Sequence, residues 1–262
     1  MSNVYQTPES NLVNENSSKE KYGSIEKAIQ GDYEFLIGAV ISEAWVKTNG
    51  CKGVFNLSFF YYFLILIAIM IVMGIVTTEL FSMGSMGDGM GVVSDSMSAG
   101  MMLMQVLIQF GVNLVSLPLV MGLFMMAIKR SVDAPISADM IFKYFSKMIP
   151  LFVTMVLMYV LIIIGFFLLV LPGIYLMVAY YMAMPLVVEK GMSPWQALET
   201  SRKAITYRWF SVFGLFFIMF TIVAISAIPL GIGMIWTVPM MVIAFAILYR
   251  NIFGVEPETI SD

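Results

Sequence analysis

Uncharged runs long enough to cross a lipid bilayer constrain this chain more than any other feature. Six are present, at 55–78, 101–128, 149–170, 174–188, 209–228 and 233–249. A helix rises about 1.5 Å per residue, so about 20 residues match a hydrocarbon layer of about 30 Å. That layer offers the backbone no water to bond, so a chain of this pattern crosses it as helices. All 14 lysines and arginines lie in segments that six crossings place on one side: Lys19 to Lys52, Lys129 to Lys147, Lys190 to Arg208, and Arg250. The positive-inside rule assigns that side to the cytoplasm, with both termini there. The one long outer connection, 79–99, carries Glu79, Asp88 and Asp95 but no base. The run 174–188 reaches only about 23 Å, so it either crosses as a short span or dips in and returns.

The expected fold is an all-α integral membrane bundle of three hairpins, each preceded by an amphipathic interfacial helix. Residues 1–33 are polar and mixed in charge and are expected to form a disordered cytoplasmic tail. The membrane domain is expected to occupy 34–253, followed by a cytoplasmic C-terminal tail at 254–262. Ahead of the first span, Ile37, Val40, Ile41, Ala44 and Thr48 recur at helical spacing. Ser137 is placed to cap a second helix through Ile141, Phe142, Phe145 and Met148. Ser193-Pro194 starts a third, with Leu198, Ser201, Ala204, Ile205 and Trp209 along one arc.

Composition removes whole classes of chemistry. The chain has no histidine and a single cysteine, Cys51. His-based acid–base catalysis, Cys-His nucleophiles and Cys/His metal sites are therefore excluded, as is an internal disulfide. A net charge of −3 with bases scattered among loops argues against nucleic-acid binding. No cofactor is expected.

Within the spans no Asp, Glu, Lys or Arg marks an ion or proton path. The second span carries a polar stripe, Gln105, Gln109, Asn113 and Ser116, which either binds neighbouring helices or lines a solute path. Pro118, Pro185 and Pro239 each remove a backbone hydrogen bond inside a span. Such breaks can present carbonyls to ions or simply be repaired by neighbouring helices, and repair is the commoner outcome. The outer loop at 83–104 is rich in methionine, a soft ligand suited to Cu(I). With 25 methionines in the chain, most of them in apolar spans where they fill space, no metal site is assigned.

The densest local pattern is LPGIYLMVAYYMAMPLVVEKGMSPWQALETSRKAITYRW, residues 171–209. Pro172-Gly173 is expected to turn the chain on the outer side, Glu189-Lys190-Gly191 on the inner side. This segment, with Ile174, Pro185, Ala197 and Ser201 at corresponding positions and ISEAWVKTNGCKGVF ahead of the first span, resembles the uncharacterised bacterial inner-membrane proteins of the YciC-like family. The resemblance covers about 34–253 and implies six spans in a bacterial inner membrane, with no established activity. Glu189 is expected to pair with Lys190, Arg202 or Arg208 and so fix the third amphipathic helix, the alternative being that it binds a substrate or cation.

The functional expectation is a non-enzymatic, envelope-organising or accessory membrane protein whose partners are lipids, other membrane proteins or a second copy of itself. Trp195, Arg202, Lys203, Arg208 and Trp209 are the candidate contacts to anionic headgroups. The alternative is a small-solute transporter or channel built on the polar stripe and the proline breaks. A lipid-modifying enzyme is the poorest fit, because Glu189 has no acid–base partner in the sequence.

Overall fold

The computed structural model describes residues 22–85 and 95–261, and they contain no strand. In chain order the helices are α1 (Ile25–Gln30), α2 (Ile37–Thr48), α3 (Lys52–Ser85), α4 (Asp95–Ser131), α5 (Met148–Leu168), α6 (Val170–Ala179), α7 (Ala183–Glu189), α8 (Pro194–Thr206), α9 (Trp209–Ala227), α10 (Met234–Phe253) and α11 (Pro257–Ser261). Six stretches are long and apolar enough to span a membrane: α3, α4, 138–168, α6 with α7, α9, and α10. The chain is an all-α multipass membrane protein, as the hydropathy implies.

The core lies at one end of the bundle, around α10. From Pro239 to Phe253 most of α10 is buried, with α2 and α4 packed along it. The apolar face of α2 buries Val40, Ala44 and Thr48, matching the helical spacing of the sequence. By contrast, over 52–79 α3 is buried only at Phe55 and Ser58, and the remainder of that stretch presents an apolar surface suited to lipid. It pairs with α4: Ser58 reaches Met126, and farther along α3 Phe59, Tyr62 and Ile65 pack, with Val115 of α4, on the cluster of Leu119, Leu123 and Ile141, as antiparallel helices do.

Several expectations about boundaries are corrected. Residues 24–33 are packed rather than tail-like. Ser24 caps α1, Ala28 is buried, and the Tyr33 hydroxyl donates to the Ala204 carbonyl at 2.8 Å. The segment from Ser137 to Met148 is not a single helix but two 3₁₀ turns, Ala138–Phe142 and Phe145–Lys147. Phe142, Phe145 and Met148 recur every three residues, which is the 3₁₀ period. Pro172-Gly173 does not make the outer turn. Leu169 alone, in extended conformation, reverses the chain, and Pro172 lies in the first turn of α6. Gly173 instead allows close packing, since a Cβ there would fall 2.4 Å from the Phe166 ring.

The fourth span is broken. α6 ends at Ala179, a turn covers 180–182, and α7 resumes with Pro185 inside it. The freed carbonyl of Ala179 accepts the Ser201 hydroxyl of α8 at 2.7 Å. Pro239 leaves the Ile235 carbonyl without its helical donor, and the Asn56 amide of α3 fills the place at 3.1 Å. Both breaks are therefore repaired by a neighbouring helix. The second repair also fixes the attitude of the last hairpin. Ile235 and Trp236 meet Asn56 and Lys52 at the start of α3, while Arg250 at the other end of α10 is tied to Glu43 just ahead of α3. α9 and α10 are thus inclined toward the base of the first hairpin.

Candidate functional site

Most of the described charges gather at the core end, near the helix termini. Glu189 closes α7, and its side chain is fully enclosed. It accepts the Tyr249 hydroxyl at 2.8 Å, the Glu256 backbone N–H at 2.6 Å and, at 3.5 Å, the Thr259 hydroxyl. The Lys190 ammonium lies 3.4 Å from Glu189 and 2.7 Å from the Glu256 carboxylate. Glu189 therefore anchors the C-terminal segment through Lys190, rather than fixing α8 through Arg202 or Arg208. The C-terminal tail expected at 254–262 includes α11, held in place by that anchor.

A second cluster surrounds Arg250. Its guanidinium makes two bonds to the Glu43 carboxylate, at 2.7 and 2.9 Å, and also donates to the Ser131 carbonyl. Lys47 bonds Asp133 at 2.7 Å, and Arg130 donates to the Lys47 and Asn49 carbonyls. The Lys47 hydrogen bond holds the Asp133 carboxyl below the usual range. These links join α2, α4 and α10 at their ends, where each helix leaves unsatisfied groups.

The candidate headgroup contacts sit on and just after α8. Ser193 caps the helix, and Gln196 Oε1 accepts from the Ser193 backbone and hydroxyl, at 3.4 and 2.9 Å. Ala197, Leu198, Ser201, Ala204 and Ile205 form the buried face. Trp195 is 60 % exposed and Phe210 84 % exposed at the two ends of the opposite side. Arg202 makes a two-point contact with Glu199, and Lys203 joins the same carboxylate at 3.3 Å. The Arg202 bond draws the Glu199 carboxyl below its ordinary range. Arg208 pairs with Glu34 at 2.9 Å. Trp209 is turned inward: its N–H donates to the Tyr175 carbonyl and its ring stacks on Phe213.

The polar stripe is not gathered into a site. Gln105 and Gln109 are exposed, the Asn113 amide bonds the Gln109 carbonyl of its own helix, and Ser116 bonds the Asn113 carbonyl. Beside the break in the fourth span, an apolar crevice of about 330 Å³ opens between α4, α5 and α6–α7, lined by Phe124, Tyr159, Met177, Tyr181 and Pro185 among others. The stripe does not line it. Of the methionine-rich loop, 86–94 lies outside the described residues. Topology motifs Pro172, Gly173, Ser193 and Pro194 all serve packing or capping.

The buried Tyr249 and Arg250, with the partly exposed Glu256 and Glu43 that meet these clusters, carry the polar chemistry of this end, and sequence reasoning did not single them out. Arg250 was the one accessible signal, a lone base directly after an apolar run. Searched against known protein families, curated proteins and solved structures, the chain matches none.

Proposed function

We propose that this chain is a non-enzymatic multipass protein of a bacterial inner membrane, with both termini in the cytoplasm. It holds anionic lipids or partner membrane proteins at its charged end, in an envelope-organising or accessory role. The observation that carries this is α8: a capped, amphipathic helix docked by one face, leaving Trp195, Arg202, Lys203 and, just beyond it, Arg208 and Phe210 outward. Exposed aromatic and basic residues on such a helix suit the boundary between headgroups and hydrocarbon. Glu199 and Glu34 offset part of the basic charge, so the attraction is modest and sensitive to salt. The resemblance of 171–209 to YciC-like proteins supports the same cellular placement.

The test is binding of reconstituted protein to probe vesicles of phosphatidylglycerol and of phosphatidylcholine. Replacing Arg202, Lys203 and Arg208 together with Gln is expected to abolish a preference for phosphatidylglycerol of about fivefold, the worth of the one net charge that Glu199 and Glu34 leave at about 1 kcal/mol per charge. An unchanged preference would exclude α8 as the lipid-contacting element.

A further inference from the structure

Where α6 stops and α7 resumes, the turn at 180–182 interrupts the ridge of side chains that a continuous helix would pack on α4 and α5. The apolar crevice of about 330 Å³ opens beside that turn. Three spans contribute one stripe each, with residues four apart: Val120 and Phe124 on α4, Met158 and Ile162 on α5, Met177 and Tyr181 at the break. The floor is firm. Met121 and Phe124 are each only 6 % exposed, Pro185 is buried, and the Tyr181 ring is wedged among Phe124, Phe216 and Phe245. The mouth is open, since Val120, Tyr159 and Met177 are 39 %, 52 % and 53 % exposed.

Chemistry, depth and size together identify the occupant. Apart from the hydroxyls of Tyr159 and Tyr181, the lining is hydrocarbon, thioether and ring. The N–H groups of Tyr180, Tyr181 and Ala183 bond the carbonyls of Leu176, Val178 and Tyr180, so these donors of the break ask for no ligand. Lys129 lies in the last turn of α4, where the apolar span ends. Phe124 and Val120 lie five and nine residues inside it, about 8 and 14 Å along the helix. That depth is within the hydrocarbon layer, where acyl chains are the groups that reach the mouth. A volume of about 330 Å³ holds about ten methylenes at about 30 Å³ for a water-sized group, which is a segment of one chain. Met158 and Met177 are unbranched and flexible, and can close over such a segment.

From this geometry we propose that the crevice binds one acyl chain of a membrane phospholipid, seated on Met121, Phe124 and Pro185. Walls contributed by three spans give the seated chain fixed contacts that a fluid neighbour does not, and so distinguish it from the surrounding bilayer. The site holds the chain of a lipid, whereas the α8 reading concerns headgroups, and the two use different residues.

The experiment is photolabelling of the full chain in phosphatidylcholine vesicles that contain a trace of phosphatidylcholine carrying a diazirine on its acyl chain. Adducts are located by peptide mass spectrometry. In wild type they are expected on the floor, at Met121 and Phe124, as well as on Ile71, which stands 58 % exposed on α3. Labelling of Ile71 without the floor overturns the site, the crevice then being closed by its own side chains or covered by a second protein. Met177→Trp and Val120→Trp fill the mouth from exposed positions and leave the core intact. Each should abolish the floor adducts and keep those on Ile71, with an unchanged unfolding midpoint in detergent. Ile163→Trp, on an exposed face of α5 away from the crevice, should change neither. Floor adducts that persist in both mouth variants overturn the site. Phosphatidylcholine carries no net charge, so this labelling does not depend on Arg202, Lys203 or Arg208. Failure of the α8 reading therefore leaves the result standing, and an unlabelled floor leaves the vesicle preference untouched.

Discussion

Tyr249 shows how a single hydroxyl can hold two distant parts of a membrane bundle together. It donates to a carboxylate that has no access to water, and that same carboxylate receives the Glu256 backbone N–H. Hydrogen bonds to a charged acceptor contribute about 1.5–3 kcal/mol, and removing one leaves the buried charge less satisfied. Tyr249→Phe is therefore expected to cost about 2 kcal/mol, read as a lowered unfolding midpoint in detergent. It should also loosen α11, seen as faster proteolysis after Gly254. Thr259→Ala should be close to silent, because a contact of 3.5 Å is at the limit of a hydrogen bond. If the two substitutions behave alike, the Glu189 cluster is not what retains the C-terminal segment. Glu189 was legible in the sequence as a lone carboxylate at the end of an apolar run. Its partner was not, because Tyr249 lies 60 positions later in a span where an aromatic residue signals only burial.

At the scale of elements, hydropathy located the spans because desolvation of the backbone leaves helices as the only outcome. What it could not convey was how helices are interrupted. The Ser137–Met148 segment has apolar spacing compatible with either an α-helix or a 3₁₀ turn. The choice is made by packing against α4, where Ile141 is fully buried and its backbone lies on Gly122. A Cβ at Gly122 would come within 2.6 Å of the Ile141 Cα and carbonyl oxygen, so the turn would have to move as a unit. Gly122→Ala is accordingly expected to cost about 1–3 kcal/mol, as overpacking against backbone does. The atoms nearest a Gly173→Ala methyl are in the Phe166 ring, a half-exposed side chain that can swing toward lipid, so this change should cost less. Comparable unfolding midpoints for the two variants would show that the 3₁₀ turn is not seated on α4 this way. The break at 180–182 was equally hidden. Pro185 hinted at it, but the Ser201 hydroxyl that makes it tolerable sits on another helix.

The whole molecule divides into a long hairpin and a compact end. α3 and α4, of 34 and 37 residues, would reach about 50 Å or more, whereas α9 and α10, of 19 and 20, reach about 30 Å. Counting about 20 residues of helix from Lys129 at the headgroups brings the opposite boundary near Gln109. The α3–α4 register agrees, setting Gln105 roughly level with Thr77 to Glu79, where the apolar run of α3 ends. Gln105 and Gln109 then face headgroups and water, and only Asn113 and Ser116 lie in the hydrocarbon, bonded to their own helix. That arrangement needs no aqueous path. The last hairpin is inclined toward Lys52, and its tip is apolar, with Leu230 94 % exposed. The tip's backbone is largely self-bonded: Leu230, Gly231 and Ile232 donate to Ile228, Ala227 and Pro229. A turn satisfied in this way can rest in lipid without crossing it. Single cysteines in a Cys51→Ser background, probed with a membrane-impermeant thiol reagent, decide between a dry bundle and a conduit. Gln105→Cys is expected to react from one side, whereas Asn113→Cys, Ser116→Cys and Leu230→Cys should be protected from both. Reaction at Asn113 together with Pro185→Cys would reveal water beside the broken span and turn the reading toward a transporter. Reaction at Leu230 from the Gln105 side would mean that the last hairpin crosses fully despite its tilt.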